Sequence, residues 1–426
     1  MKVIFLLLYL AVKTFTYWLM HINISHLKRH GSIVPEGFGD AINSETLSRS
    51  SAYTIDSSRH SMLDSIFSSL MMIVFLFCGV IVAYDHAVAG LFSLVIPAAV
   101  VFFLGLTWLQ SALGIPLDLY GTFHIEAKYG FNTMTIRLWL VDFLKSLAIG
   151  SVLQAVLISA IFWLISWKPD DWWLLVWALM ACFSLFMMYL SPFVIEPLFN
   201  KFEPITKEGL EEEIRSMMVK AGLSVSRVMQ MDASKRSKHS NAYFTGIGKV
   251  KRIVLYDNLL KQLTNAEIVA VLAHELGHWK KGHIWKRLVA AEVATFVGAW
   301  IAFTALKWPG LPGLLGLPES LSLPAKFIVL GFIASLALFP LQPLIAWLSR
   351  RHERDADQFA VNIIGSGESL ASALVKMSAE NLANLHPHPF YAKFYYSHPP
   401  AVERVHSLRS AARKKASSMM NSKLNC

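Results

Sequence analysis

Residues 274–278 read His-Glu-Leu-Gly-His. On a helix, side chains four apart share a face, so the imidazoles of His274 and His278 can reach one ion. Glu275 projects about a quarter-turn away, towards the open position of a tetrahedral metal site, where a carboxylate serves as general base to water. That is the chemistry of a zinc peptidase. The preceding run Ile268-Val269-Ala270-Val271-Leu272-Ala273 makes the helix a buried one, and a histidine pair in such a helix needs polar partners. Two core histidines bonded to backbone groups would show the same spacing, so a third ligand decides between the readings.

A catalytic zinc takes three protein ligands and keeps one position open. His283 is the nearest candidate, but nine residues past His274 on a continuous helix it points about 180° away. The segment Arg351-His352-Glu353-Arg354-Asp355-Ala356-Asp357 is a better source. Glu353 and Asp357 are four apart, so one carboxylate can bind the metal while the other accepts the N–H of a ligand histidine. A solvated charge run would look the same by itself. Zn2+, one per chain, held by His274, His278 and one of these two carboxylates with the other behind a ligand histidine, is the expected cofactor.

These residues must be brought together across lipid. Of the 426 residues, 54% are hydrophobic and the mean hydropathy is +0.46. The apolar residues gather in stretches near 3–20, 65–84, 88–112, 143–166, 172–194, 287–306 and 326–349. Each approaches or exceeds the ~20 residues a helix needs to cross a bilayer. With these spans, the loops 21–64, 113–142 and 195–286 and the tail from 350 fall on one side. Nearly all Lys and Arg lie there, with Lys2, Lys168 and Lys307 opposite and Lys326 at a boundary. The positive-inside rule makes that side cytoplasmic and places His274 and Glu353 on it together. The net charge of +10 is accounted for in this way, and no basic stripe beside an exposed aromatic platform supports nucleic-acid binding. Cys78, Cys182 and Cys426 offer neither a disulfide framework nor a cysteine zinc site, and Cys426 is misplaced for prenylation. The run Val3–Met20 lacks a small-residue cleavage site and reads as a retained anchor.

The large loop opens with a helical pattern over Lys207–Ala221. Strand-like runs at Asn241–Thr245 and Arg252–Tyr256 follow, around a Gly246-Ile247-Gly248 turn signal, and then a helix over Ala266–Lys281. The Pro/Gly/Leu-rich link 309–325 reads as bent and interface-hugging. The division expected is 1–194 for five membrane helices, 195–286 for a protease loop domain with an edge strand, 287–349 for two more spans, and 350–426 for the tail that completes the protease domain. Glu292 sits inside the sixth span, eighteen residues past His274. On an unbroken helix it shares the ligands' face and lines an internal chamber; a pair with Lys145 on a neighbouring helix is the alternative.

Over nearly its whole length the chain resembles the type I CAAX prenyl proteases, integral-membrane zinc peptidases of the gluzincin group. The likeness rests on Glu126-Ala127-Lys128-Tyr129-Gly130-Phe131-Asn132, on Pro197-Leu198-Phe199-Asn200-Lys201-Phe202, on Arg236–Phe244, on the His274–His278 motif, on Glu353 with Asp357, and on Ser397-His398-Pro399-Pro400 with Glu403-Arg404. It implies a mainly α polytopic membrane protein. Seven helices would enclose a chamber beside a small cytoplasmic-side α+β protease domain, with Glu353 as third ligand and a peptide or protein substrate that is prenylated in this family. The charged insertion many eukaryotic members carry between the last two spans is missing, which fits a bacterial member; the membrane is then a bacterial inner membrane, or otherwise that of the endoplasmic reticulum. Peptidases of this type bind substrate as an added strand, so Asn241 and Ala242 are expected at the substrate edge. A plain hairpin is the alternative there. His398 and Arg404 are expected to stabilise the oxyanion or grip a carboxylate, with surface helix capping as their alternative. Two rival functions stay open at this point: a general membrane-protein quality-control metalloprotease, and a transporter or channel with a structural metal.

Overall fold

The computed structural model describes residues 1–39, 41–245 and 250–411. Among the described residues, seven helices are long and apolar enough to cross a membrane. The wall is built in chain order from α1 (Lys2–His30), α2 (Ser44–Phe77), the short α3 (Val80–Leu91), α4 (Val95–Tyr120), α5 (Ile136–Trp167) and α6 (Trp172–Leu190), with α7 (Glu196–Phe199) continuing α6 through a π-helical turn. Asn43 starts α2 by accepting from the Thr46 N–H at 2.8 Å, an N-cap in the ordinary sense.

The spans begin and end differently from the hydropathy pattern. The expected span 65–84 is cut at Gly79, whose φ of 84° suits glycine alone. The 12 residues of α3 reach only about 18 Å, too short to cross. The expected span 88–112 starts only at Val95, after the break at Phe92. Lys13 does not interrupt α1; its ammonium lies over the Tyr9 ring at 5.5 Å.

A mixed α/β segment follows: β1 (Phe202–Pro204), α8 (Leu210–Lys220), β2 (Ser224–Met231), β3 (Ala242–Thr245), β4 (Val250–Tyr256), α9 (Asp257–Gln262) and α10 (Asn265–Lys280). The sheet order is β1-β2-β4-β3. β2 runs parallel to β4 and β3 antiparallel to it, so β3 is an edge strand. The Gly246–Gly248 turn signal lies outside the described residues. β1 and β2 had no counterpart in the sequence reading: β2 carries a register shift between Val225 and Arg227, which breaks the period-2 alternation that marks a strand.

The last two wall helices are α11 (His283–Lys307) and α12 (Leu323–Leu338), the latter running through a 3-10 turn into α13 (Gln342–Ile364); α14 (Glu368–Glu380) and α15 (Pro389–Tyr395) come after. Wall contacts run α1 to α2 to α3 to α4 to α5 to α6 to α11 to α12 and back to α1, closing a ring. A packed bundle would bury the inward faces of its helices. Here no span has more than 17% of its most apolar window buried, and α11 has none. The ring is thin-walled, with both faces accessible. At one end the link 309–325 is drawn into a core rather than lying loose: Leu311, Leu315 and Leu321 pack with Leu76, Ile81 and Phe102.

At the other end a larger core joins Phe38 and Leu47 before and within α2, Ile214 of α8, Ile253 of β4, Leu272 and Leu276 of α10, Ala360 of α13, Leu370 of α14, and Val405. Two strips dock the sheet to the ring. Asn132 bridges to Ser237, the Arg236 guanidinium donates to Asp142 at 2.8 and 3.1 Å, and His239 lies between Glu126 and Asn381 at 3.2 Å from each.

The helix of the His-Glu motif breaks where the sequence reading of Glu292 needed it continuous. α10 ends at Lys280 and Gly282 takes a φ of 67° before α11 begins. Glu292 therefore has no fixed angular relation to His274. Its carboxylate accepts from Ser184 Oγ of α6 at 3.0 Å, while Lys145 donates to the Leu198 carbonyl.

Candidate metal centre

Thr264 caps α10. Its hydroxyl accepts from the Glu267 N–H, and Glu267 Oε2 accepts in return from the Thr264 N–H at 2.8 Å, a capping box that fixes where the helix starts. Three turns on, His274 and His278 lie with ring centroids 4.8 Å apart and their Nε2 atoms 3.2 Å apart. α13 crosses here because Gly277 has no side chain: a Cβ there would stand 3.0 Å from the Ala356 backbone and 3.2 Å from Phe359 Cβ. That approach brings Glu353 in. Its Oε2 lies 3.3 Å from His274 Nε2 and its Oε1 3.2 Å from His278 Nε2.

Among the described residues this is the group that could hold a metal ion, with one ligand atom from each residue and all of them within 4.8 Å of one another. Glu353 is 2% exposed, and its Oε2 has no hydrogen-bond partner among the described residues. A buried carboxylate oxygen without a donor is costly. A cation between it and two imidazole nitrogens removes that cost, so the donor set fits zinc.

Asp357 stands behind His274, its Oδ1 2.7 Å from Nδ1. Arg404 grips Asp357 with two bonds, Nε to Oδ2 at 2.9 Å and a terminal nitrogen to Oδ1 at 2.6 Å. The partner of the Arg404 guanidinium is thus Asp357. Burial opposes charge on His274, and the Asp357 and Glu353 carboxylates more than reverse it, holding the imidazole above its usual value. Burial is also the main cause that raises the Glu275 carboxyl.

His398 reaches the site from the tail. Its Nε2 is 3.4 Å from Glu353 Oε1, and Ser397 Oγ lies 2.9 Å from its Nδ1. The loop carrying it is anchored by the buried Arg350, which donates to the carbonyls of Ala392, Lys393 and Tyr396 at the end of α15, where a helix presents its negative pole. β3 packs against α10. Asn241 is exposed just before it, its Oδ1 accepting from the Ala242 N–H, while Ala242 is buried. The sequence reading put His283 out of the site. The structure sets it against His278, the two Nδ1 atoms 3.1 Å apart, because the turn at Gly282 redirects the chain.

With this geometry in view, the chain is similar to known proteins along most of its length. Residues 23–201 match the family described as CAAX prenyl protease N-terminal, five membrane helices, and residues 204–412 match peptidase family M48. The CAAX prenyl protease 1 homolog of Oryza sativa subsp. japonica is 33% identical, covering 90% of this chain and 91% of that protein. CAAX prenyl protease 1 of Saccharomyces cerevisiae is 30% identical over 90% of each. The crystal structure of S. mikatae Ste24p superposes with a TM-score of 0.88 at 27% identity, covering 96% of this chain and 98% of that one.

Proposed function

We propose a substrate and a division of labour from one premise: this chain belongs to peptidase family M48, with the CAAX prenyl protease membrane domain ahead of the peptidase domain, and is a multi-pass membrane metalloendopeptidase. The substrate is a prenylated CAAX protein cut near its C-terminus. The names of the relatives support this, as does a ring whose helices leave an inner face accessible to a lipid chain.

His274, His278 and Glu353 hold one zinc, and the observation that carries this is the donorless Glu353 Oε2 beside two convergent Nε2 atoms. Zinc bound there supplies Lewis acidity to the scissile carbonyl and acidifies water. Asp357 accepts the Nδ1–H of His274 and fixes its tautomer, and Arg404 holds Asp357 in place. The substrate backbone pairs with the free edge of β3 near Asn241 and Ala242. Glu275 takes the proton of the attacking water and gives it to the leaving amine. His398, on the exposed lip, donates to the oxygen on which negative charge develops. The site faces the cytoplasm, in an endoplasmic reticulum or bacterial inner membrane, a reading that the charge asymmetry of the loops supports. Residues 195–286 and 350–426 form the peptidase unit on the spans 1–194 and 287–349; the core they share supports that division.

The test is cleavage of matched prenylated and unprenylated peptides by the purified protein, read by mass spectrometry, with metal analysis of the wild type and of Glu353→Ala. Cleavage that needs the prenyl group, and zinc lost with Glu353, is expected. Indifference to the lipid would remove the substrate, and unchanged zinc in Glu353→Ala would remove the third ligand.

A further inference from the structure

An imidazole that gives Nε2 to a metal carries its proton on Nδ1, and that N–H needs an acceptor to fix the ring. For His274 the acceptor is Asp357. Among the described residues no carboxylate stands behind the Nδ1 of His278. What faces its Nδ1, at 3.1 Å, is Nδ1 of His283.

We propose that His283 is a positioning residue for the metal: its Nδ1 lone pair accepts the Nδ1–H of His278 and holds that ligand's ring towards the ion. This rests on the metal reading above. Because two N–H groups cannot face each other, His283 is the tautomer protonated at Nε2. It is 1% exposed, so water does not compete for the bond. Its plane is set by His352 of α13, stacked on it at 4.2 Å with 13° between rings. Its Nε2 lies 3.9 Å from Asp355 Oδ2, beyond direct bonding.

The two ligand histidines are therefore oriented from different places. His274 is held from α13 and the tail, through Asp357 and Arg404. His278 is held from the first residue of α11, a wall helix of the ring. The turn at Gly282 makes this possible by bringing the start of that helix back against the motif.

Zinc affinity of the full-length protein, measured by chelator competition, tests this with two variants. His283→Phe keeps a flat ring and removes the acceptor; His283→Asn places Oδ1 where Nδ1 stood. The phenylalanine variant should lose about 10–100-fold in zinc affinity and change the visible spectrum of the cobalt-substituted protein, while the asparagine variant retains most of the affinity and the wild-type spectrum. If His283→Phe does not fold, His283→Ala supplies the same deletion. Wild-type affinity in the acceptor-free variant overturns the proposal. So does an asparagine variant that falls as far, with its unfolding temperature dropping in step, since packing alone would then be the role. A wild type that binds no zinc would instead remove the metal reading on which the proposal stands.

Discussion

Along α13 the chain passes from the wall of the ring into the packed end. Leu344, Ile345, Trp347 and Leu348 are 43–65% exposed, whereas Arg350, Glu353, Ala356 and Asp357 are buried. One helix thus spends its first turns offering apolar surface to lipid or to the interior, and its next turns placing charged groups where each meets a partner. In the wall, apolar area is left uncovered by the protein because the surroundings are apolar. At the packed end, polar groups are withdrawn from water, and the charged ones find partners: Arg350 in three carbonyls, Asp357 in His274 and Arg404, Glu267 in Thr264, Ser372 and Lys376. Glu353 Oε2 is among the buried polar atoms left without a partner, and the metal proposed above would answer it. The wall encloses, and the proposed chemistry belongs to the packed end.

The largest effect that tests this division is on turnover. Glu275→Gln keeps shape and zinc but cannot take a proton, so kcat should fall by at least ~10²-fold with metal content unchanged. Near-normal turnover would return the metal to a structural role.

A smaller effect tests the packing that brings the two helices together. In Gly277→Ala a helix former replaces glycine, worth about 1 kcal/mol in isolation, but the new Cβ meets the Ala356 backbone at 3.0 Å. The contact should win, because backbone cannot rotate aside as a side chain does, with a net loss of about 1–2 kcal/mol. Zinc affinity should fall with it, since Glu353 rides on the displaced helix. Thermal unfolding with and without zinc separates the two. An unchanged midpoint would mean that α13 is not held by this approach.

The wall is tested at Glu292. With the native cysteines Cys78, Cys182 and Cys426 all replaced, Glu292→Cys should react with a small charged thiol reagent from water, because an accessible inner face is wet. Full protection would mean that this side of α11 is sealed by α6 or turned to lipid.

What could be read in advance followed the range of each signal. The histidine pair, the Glu353–Asp357 spacing and the apolar spans are local patterns, and all are present in the structure as helical features. The break at Gly282 is local too, yet its consequence is not: swinging His283 onto His278 depends on where α11 joins the ring. β2 was hidden by its register shift, and the partner of Arg404 by a separation of 47 residues along the chain. The Gly79 break was hidden because hydropathy averages over it.

The smallest predicted effect asks whether the packed end depends on its answered charges. Glu267 is buried as the capping carboxylate of α10. Burial would raise its pKa, but hydrogen bonds from Lys376, Ser372 and Thr264 outweigh that and hold it down to about 2. A folded-state pKa below the unfolded value, near 4.5, means that the unfolded chain binds the proton more readily. The carboxylate's stabilisation is therefore complete above the unfolded value, declines as pH falls below it, and is gone by about pH 2. Glu267→Gln should destabilise the protein by roughly 1 kcal/mol at neutral pH, the size of a lost helix cap. The gap between variant and wild type should close on acidification from about pH 4.5 towards 2. Unfolding midpoints of both proteins measured across that range check it. A gap that stays constant with pH would mean that shape alone holds the start of the helix, and that charge at the packed end matters only where it touches the metal.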